Sequence, residues 1–168
     1  MRRVTALSGR IAVVGAGTTP LVGELAAAGF EVIALDVSSA AIDALRARHE
    51  GIDMISYEVA DVCAWQPSVQ VDTWHDRAVF HFLVDDDAQQ AYVESVRRAL
   101  RIAGHLVIAT FAPNGPEQCS GLPVARHDAV TLSAAFGGFD LIDSFESDHW
   151  TPWGSTQRFT HAVLRRVT

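Results

Sequence analysis

The stretch IAVVGAGTTP, from Ile11 to Pro20, joins an apolar run to a loop that contains two glycines. The apolar residues predict a buried strand over Ile11–Val14. Thr19 as a cap and Pro20 as the first helical residue predict a helix that continues to about Ala28. Glycines between a strand and a helix give the backbone room for the close approach of a ligand, or serve only a tight turn. The rest of the chain decides between these two uses.

Strand-like and helix-like runs alternate after this stretch. Such alternation is typical of a parallel sheet with right-handed crossovers. The next predicted strands are Phe30–Asp36, Asp53–Val59, Val69–Trp74 and Gly104–Phe111. Helices are predicted from Ser38 or Ser39 to about His49, and over Ala88–Arg101.

The pattern changes near the C terminus. A long loop over Pro113–Arg126 precedes a short predicted helix, His127–Phe136, and two strands without a helix between them, Phe139–Phe145 and Gln157–Arg166. We therefore predict an α/β fold: a Rossmann-like, doubly wound, mostly parallel seven-stranded sheet with a C-terminal antiparallel hairpin. A length of 168 residues predicts a single domain over the whole chain.

Composition excludes several classes of partner. The formal net charge is −7, and the thirteen basic residues are all arginines, scattered along the chain, which argues against a nucleic-acid interface. The sequence has no run of about 18 apolar residues and no signal-peptide pattern, so we expect neither a membrane span nor secretion. Cys63 and Cys119 lie far apart without metal-ligand spacing. We expect a cytoplasmic protein with two reduced thiols and no metal site.

Acidic residues end the second and third predicted strands. Asp36 follows Gly15 by 21 residues, where a carboxylate can accept hydrogen bonds from both ribose hydroxyls of an adenosine. Asp61 is placed to receive the exocyclic amine of an adenine. A dinucleotide prefers a third glycine where this loop has Pro20, because that glycine lets the helix pack closely behind a pyrophosphate. S-adenosylmethionine carries a methionine tail instead of the pyrophosphate.

Four stretches, taken together and in this order, resemble the class I S-adenosylmethionine-dependent methyltransferases. They are VVGAGTT, EVIALDVSSAAIDALRAR, YEVADV and RRALRIAGHLVIATF. The resemblance covers nearly the whole chain. It implies that S-adenosylmethionine is the cofactor and S-adenosylhomocysteine the product.

The resemblance also implies a set of cofactor-binding residues. The loop residues Gly15, Ala16 and Gly17 are expected to admit the methionine portion, and Asp36, with Val37 beside it, to hold the ribose. The adenine is assigned to Asp61 and Val62, and His75 is placed in the same cofactor site.

Two features depart from the family pattern. Val13 stands where the family usually has an acidic residue, two positions before the first glycine, which removes a carboxylate that helps to orient the methionine amine. Only about ten residues precede Ile11, whereas the family usually has a helix there that covers the site. We therefore expect a homodimer that covers the open site.

The segment DTWHDRAVFHFL, from Asp72 to Leu83, resembles the Trp-Asp-Arg segment of thiopurine-methyltransferase-like enzymes. It is expected beside the transferred methyl group. His75 is a candidate general base, Asp76 would orient it or act itself, and Arg77 would bind an anionic or planar acceptor. The structural alternative is that His75 presents only its backbone to the cofactor and that the Asp-Arg pair caps the next helix. His81 is interpreted as a core histidine with its hydrogen bonds satisfied, or as one that supports site residues without touching the ligand.

Two loops are further candidates. Trp150 and Trp153 lie between the last two strands, where they would wall an apolar acceptor pocket or form hairpin core or a dimer contact. The long loop before the short helix is a candidate lid, with Cys119 and Arg126 as its contacts.

Three functional hypotheses follow. The first is an enzyme that transfers the methyl group of S-adenosylmethionine to a small-molecule acceptor by direct displacement. The second is a degenerate, non-catalytic methyltransferase fold that acts as a binding or partner protein, which Val13 and the short N terminus motivate. The third is a nicotinamide-dependent enzyme, which Pro20 disfavours.

Overall fold

The computed structural model describes residues 9–151 and 154–168. Its strands are β1 (Arg10–Val14), β2 (Glu31–Asp36), β3 (Ile55–Val59), β4 (Val71–Arg77), β5 (Leu100–Phe111), β6 (Gln118–Cys119), β7 (Leu122–Pro123), β8 (Phe139–Trp150) and β9 (Thr156–Arg166). Its α-helices are α1 (Leu21–Ala27), α2 (Ser39–Arg48), α3 (Asp86–Ala99) and α4 (Ala129–Ala135), and a 3₁₀ helix covers Phe80–Phe82.

Seven strands form the main sheet in the order β3-β2-β1-β4-β5-β9-β8. The first five pair in parallel, and β9 pairs antiparallel with both β5 and β8. The predicted doubly wound sheet with its C-terminal antiparallel hairpin is confirmed. The strand order reverses between β1 and β4, so a crevice opens there at the carboxyl ends of the strands.

Side chains of β1 alternate between two apolar layers. Ile11 and Val13 pack in a core layer with α1 and α2, whereas Ala12 and Val14 pack in a second layer with α3 and α4. All four are at most 2% exposed. A strand that is buried on both faces requires a continuous apolar run, and this requirement explains the IAVV sequence.

Helix caps agree with the sequence in part. The Ser38 side chain accepts a hydrogen bond from the Ala41 amide and caps α2 as predicted. Pro20, in contrast, is the N-cap of α1 rather than its first helical residue, and the Thr19 hydroxyl accepts a 3.3 Å hydrogen bond from the amide of Leu21, where the helix begins.

Several predicted boundaries are wrong, and one changes the site. Strand β4 ends at Arg77, three residues beyond the predicted end at Trp74, because the polar residues after Trp74 continue the ladder between β1 and β5. Strand β8 likewise continues to Trp150. The loop over residues 113–126 contains the β6-β7 hairpin.

Candidate active site

A cavity of about 500 Å³ opens at the carboxyl ends of β1 to β4. The loops that follow β1, β2 and β3 converge on this cavity, and the end of β4 closes its fourth side. The cavity is lined by Gly15, Leu35, Asp36, Val37, Ala60, Asp61, Val62, Arg77, Ala78, Val79 and Phe82.

The glycine loop has a backbone conformation that favours glycine. Gly15 and Gly17 have φ angles of +58° and +51°, in the left-handed region. Gly15 lines the cavity. Gly17 instead supports the loop, since its amide donates a 2.8 Å hydrogen bond to the Asp36 carboxylate. Ala16 between them is 2% exposed and packs in the core, so its side chain does not reach the cavity.

The Asp36 carboxylate links the loop to the end of β2. Its second oxygen accepts a 2.8 Å hydrogen bond from the Ser38 amide. A carboxylate has about four acceptor positions, so these two bonds leave room for two further donors such as ribose hydroxyls. The carboxylate is thus held in place by backbone amides and still has acceptor capacity toward the cavity.

The far wall of the cavity combines one acid with apolar side chains. Asp61 accepts a 2.9 Å hydrogen bond from the Cys63 amide with one oxygen. Val37, Val62 and Phe82 line the same space. An acceptor at the edge of an apolar slot fits a planar base with an exocyclic amine.

A second cavity, of about 290 Å³, adjoins the first and shares Gly15 and Arg77 with it. The remaining lining residues are Val13, Val14, Thr19, Leu21 and His75. No carboxylate is among them in the described part of the chain. Val13, which stands where the resemblance leads us to expect an acid, lines this cavity.

His75 lies on β4 between Val13 of β1 and Val107 of β5. His75 lines the second cavity, and its Nδ1 is buried without a hydrogen-bond partner among residues 9–151 and 154–168. Burial, together with the positive charge of Arg77, lowers the pKa of His75 to about 4. The imidazole is therefore neutral at pH 7, which is the state that a proton acceptor requires.

Arg77 is an exposed cation at the junction of the two cavities. Its guanidinium carbon lies 5.2 Å from the ring centroid of Phe159. Within the described residues, no carboxylate lies at salt-bridge distance from Arg77. This side chain keeps its hydrogen-bond donors available for a ligand.

Asp76 points away from both cavities and is 1% exposed. Its carboxylate accepts hydrogen bonds from the Val79 amide at 2.8 Å, the Phe80 amide at 3.0 Å and the Tyr92 hydroxyl. Burial raises the pKa of this carboxyl to about 6, although the three hydrogen bonds oppose the shift. These contacts favour the capping alternative, in which Asp76 fixes the turn after β4 and does not touch the acceptor.

Other sequence candidates lie outside the two cavities. His81 is fully buried as expected, but the expectation of satisfied hydrogen bonds is wrong, since neither ring nitrogen has a partner among the described residues. Trp150 is 70% exposed at the end of β8, and Trp153 lies outside the described residues. Cys119 packs against the β5-β9 core, and Arg126 bonds to Glu117 and Gly115 within its own loop.

Sequence reasoning missed the turn that follows β4. Ala78, Val79 and Phe82 form one wall of the larger cavity. Ala78 has a φ of +69°, which is uncommon for a residue with a side chain. An Arg-Ala-Val sequence carries no turn signal, and only the pairing of β4 through Arg77 reveals where the chain must turn.

The described residues hold no group of three or more histidine, cysteine, aspartate or glutamate side chains that could ligate a metal ion. None of the helices in the described ranges is long and apolar enough to span a bilayer.

The fold and the position of the cavity define a class I methyltransferase architecture. A family model described as a methyltransferase domain matches residues 11–104, more than half of the sequence. The chain belongs to this methyltransferase family. Membership confirms the predictions of an enzyme of this class and of S-adenosylmethionine as its cofactor. No curated protein sequence is significantly similar to the chain.

Solved structures share the fold at low sequence identity. One, reported for the conversion of a disulfide bond into a thioacetal group during echinomycin biosynthesis, is 23% identical with a TM-score of 0.77, over 95% of this chain and 76% of that one. The 1,6-didemethyltoxoflavin N1-methyltransferase of Burkholderia thailandensis is 17% identical, with a TM-score of 0.76. The match covers 95% of this chain and 71% of that one. The N-methyltransferase NodS of Bradyrhizobium japonicum, bound to S-adenosylhomocysteine, is 15% identical, with a TM-score of 0.74. The match covers 95% of this chain and 78% of that one.

Proposed function

We propose that this chain transfers the methyl group of S-adenosylmethionine to a small-molecule acceptor by direct displacement. The observation that carries the proposal is the larger cavity, where Gly15, Asp36 and Asp61 meet around one space of about 500 Å³. When bound, S-adenosylmethionine supplies an electrophilic methyl group on a sulfonium. Related structures have been solved with S-adenosylhomocysteine, which supports the same cofactor position here.

The cofactor-binding roles follow the lining of the two cavities. Asp36 holds the ribose through its remaining acceptor positions, and Asp61 with Val62 holds the adenine. The smaller cavity beside Gly15 and Val13 takes the methionine tail. Ala16 and Gly17 contribute to the site by shaping the loop, since neither lines a cavity.

The acceptor is bound next to Arg77 and His75. Arg77 offers a planar, permanently charged fork to an anionic group of the acceptor. His75 is neutral at pH 7 and accepts a proton from an acceptor that must lose one. Asp76 acts as a positioning residue, because its carboxylate holds the Val79 and Phe80 amides and thereby orients the strand end that carries Arg77.

Calorimetric titration with S-adenosylhomocysteine tests the cofactor site directly. We expect micromolar binding to the unaltered chain and loss of at least tenfold in affinity in Asp36→Ala. Asp43→Ala is the matched control, since Asp43 is an exposed aspartate on α2 whose only side-chain partner in the described residues is Arg46. Titration with NAD in parallel tests the nicotinamide alternative.

The outcomes separate the hypotheses. Absence of S-adenosylhomocysteine binding to the folded protein would contradict the enzymatic proposal and favour the non-catalytic binding protein. Equal affinity of Asp36→Ala and Asp43→Ala would remove Asp36 from the site. A homodimer that covers the cleft stays a prediction, and a monomeric mass in light scattering would contradict it.

A further inference from the structure

A row of side chains crosses four neighbouring strands beside the cofactor cavities. Arg77 of β4 pairs in register with Ala109 of β5, Ala109 with His161 of β9, and His161 with Phe145 of β8. Residues that are paired across a sheet project from the same face. The four side chains therefore form one continuous strip that starts at the edge of the cavities and leads away from them.

The strip combines flat rings with one cation. The rings of Phe145 and His161 are stacked, with centroids 4.4 Å apart and planes within 4° of parallel. Ala109 is small, and the Arg77 side chain extends across it until the guanidinium carbon is 5.2 Å from the Phe159 ring centroid. The strip thus offers an aromatic surface at one end and a guanidinium at the other.

The electrostatics of the strip favour an anion. His161 shares a 2.8 Å hydrogen bond with the Ser147 hydroxyl, and burial, followed by the charge of Arg77, lowers the pKa of His161. Its ring is neutral at pH 7. The neighbouring Arg158 is already paired with Glu146 and Asp148, whereas Arg77 has no carboxylate partner in the described ranges.

The outer end of the strip is accessible, whereas Ala109 in its middle is only 5% exposed. The Phe145 side chain is 58% exposed although it is a large apolar group. Helix α4 covers the opposite face of β9, where Leu132 and Phe136 pack against Ala162 and Leu164. The Phe145 ring therefore presents an exposed apolar surface beside His161.

We propose that Arg77, His161 and Phe145 form the acceptor platform and that the acceptor is a planar aromatic acid. Its ring lies against the Phe145–His161 stack, and its acidic group pairs with the Arg77 guanidinium. The Arg77 guanidinium lies over the Phe159 ring, whose centroid is 6.2 Å from that of His161, so the cation and the stack are neighbours that one aromatic acid can contact together. This inference rests on the proposed methyltransferase function and names the substrate class of the same site.

The test uses the chain saturated with S-adenosylhomocysteine and two matched probes, 2-naphthoate and the neutral 2-naphthamide, with binding measured by ligand-observed NMR titration. We expect Phe145→Ser to weaken both probes at least tenfold and Phe145→Tyr to restore them. Arg77→Gln weakens 2-naphthoate at least tenfold and leaves 2-naphthamide unchanged. Ile102→Ser is the control, since Ile102 is 56% exposed near the opposite end of β5.

Each contrary result overturns the platform. One such result is that 2-naphthoate does not bind to the chain saturated with S-adenosylhomocysteine. Another is that the probes bind equally well to Phe145→Ser and Ile102→Ser. The third is that Arg77→Gln leaves the affinity for 2-naphthoate unchanged. A change from dimer to monomer in Phe145→Ser, without a change in probe affinity, would assign the strip to an interface between copies. Failure of S-adenosylhomocysteine itself to bind would instead refute the proposed function, and the calorimetric titration detects that failure separately.

Discussion

Gly15 and Val79, which both line the larger cavity, approach each other so closely that a Cβ on Gly15 would lie 2.1 Å from Val79 Cγ2. The first residue belongs to the loop after β1, and the second to the turn after β4. The Asp76 carboxylate holds that turn through the Val79 amide. The loop after β1 and the turn after β4 therefore pack closely at this point, and the glycine is required by this close approach as well as by its φ angle.

Gly15→Ala is expected to destabilise the chain more than Gly17→Ala. Both glycines are in the left-handed region, where a side chain costs about 1–2 kcal/mol. At Gly17 the nearest heavy atom to an added Cβ is 4.0 Å away, so only this backbone cost applies. At Gly15 the overlap with Val79 adds about 1–3 kcal/mol. Urea denaturation of both variants checks the difference, and equal free energies of unfolding would show that Val79 moves aside without cost.

Tyr92→Phe is expected to destabilise the chain by about 1–3 kcal/mol. The Tyr92 hydroxyl donates to the Asp76 carboxylate and accepts a 2.9 Å hydrogen bond from Trp74 Nε1, so its removal leaves two buried groups short of a partner. Tyr57→Phe is the matched control, because the Tyr57 hydroxyl is buried with no partner in the described residues, and its loss is expected to be neutral or stabilising.

The same variant has a characteristic pH dependence. Burial raises the pKa of Asp76 to about 6 from an ordinary value of 3.8, so the folded chain loses stability as the pH rises from 3.8 through 6 and the carboxyl ionises. The Tyr92 hydrogen bond lowers this pKa and reduces that loss. The destabilisation by Tyr92→Phe is therefore larger at pH 8 than at pH 5. Urea unfolding at both values checks this, and a pH-independent difference would mean that the hydroxyl does not sense the charge of Asp76.

The sequence predicts the fold well because the fold depends on apolar periodicity. The IAVV run is buried on both faces, and the order of strand-like and helix-like runs gives the parallel sheet with its final hairpin. Asp36 and Asp61 are found at the cavity for a related reason, since strands of a parallel sheet end at one edge and acids that follow them converge there.

The roles at the end of β4 are harder to predict because they depend on side-chain direction. His75, Asp76 and Arg77 are adjacent in sequence, but alternate residues of a strand point to opposite faces. His75 and Arg77 therefore face the cavities, whereas Asp76 enters the core. The strand is predicted from the sequence to end at Trp74, so the alternation is not applied to the three residues that follow. All three are therefore assigned to the same site. The pairing of Phe145 with His161 depends likewise on a register that no local motif encodes.

His81→Leu is expected to stabilise the chain, and to do so more strongly at low pH. The His81 ring lies between Phe82 and Phe111, with centroids 4.6 Å from each, and its two nitrogens have no hydrogen-bond partners in the described residues. Burial lowers its pKa to about 4 from 6.5. The unfolded chain therefore binds an extra proton between pH 6.5 and about 4, and stability falls as the pH is lowered through this window.

The size of this effect is limited by the titration of one proton. The gain from His81→Leu is expected to grow by at most about 1.4 kcal/mol per pH unit between pH 6.5 and 4. Thermal unfolding of the variant and of His149→Leu, which removes an exposed histidine on β8, checks this over pH 4 to 7. A gain that does not vary with pH would show that His81 is protonated in the folded chain or finds a partner in solution.

Arg77→Gln is expected to raise the pKa of His75. Burial is the larger cause of the low value of about 4, and the Arg77 charge is the next, so removal of the guanidinium shifts the pKa upward without restoring 6.5. The ring-proton resonances of His75, followed by NMR from pH 3 to 7.5, report this directly and require no acceptor. Arg126→Gln is the control, because that arginine bonds within residues 115–126 and lines neither cavity. If Arg77→Gln leaves the His75 titration unchanged, the guanidinium lies farther from the imidazole in solution, and the two side chains do not act on one acceptor.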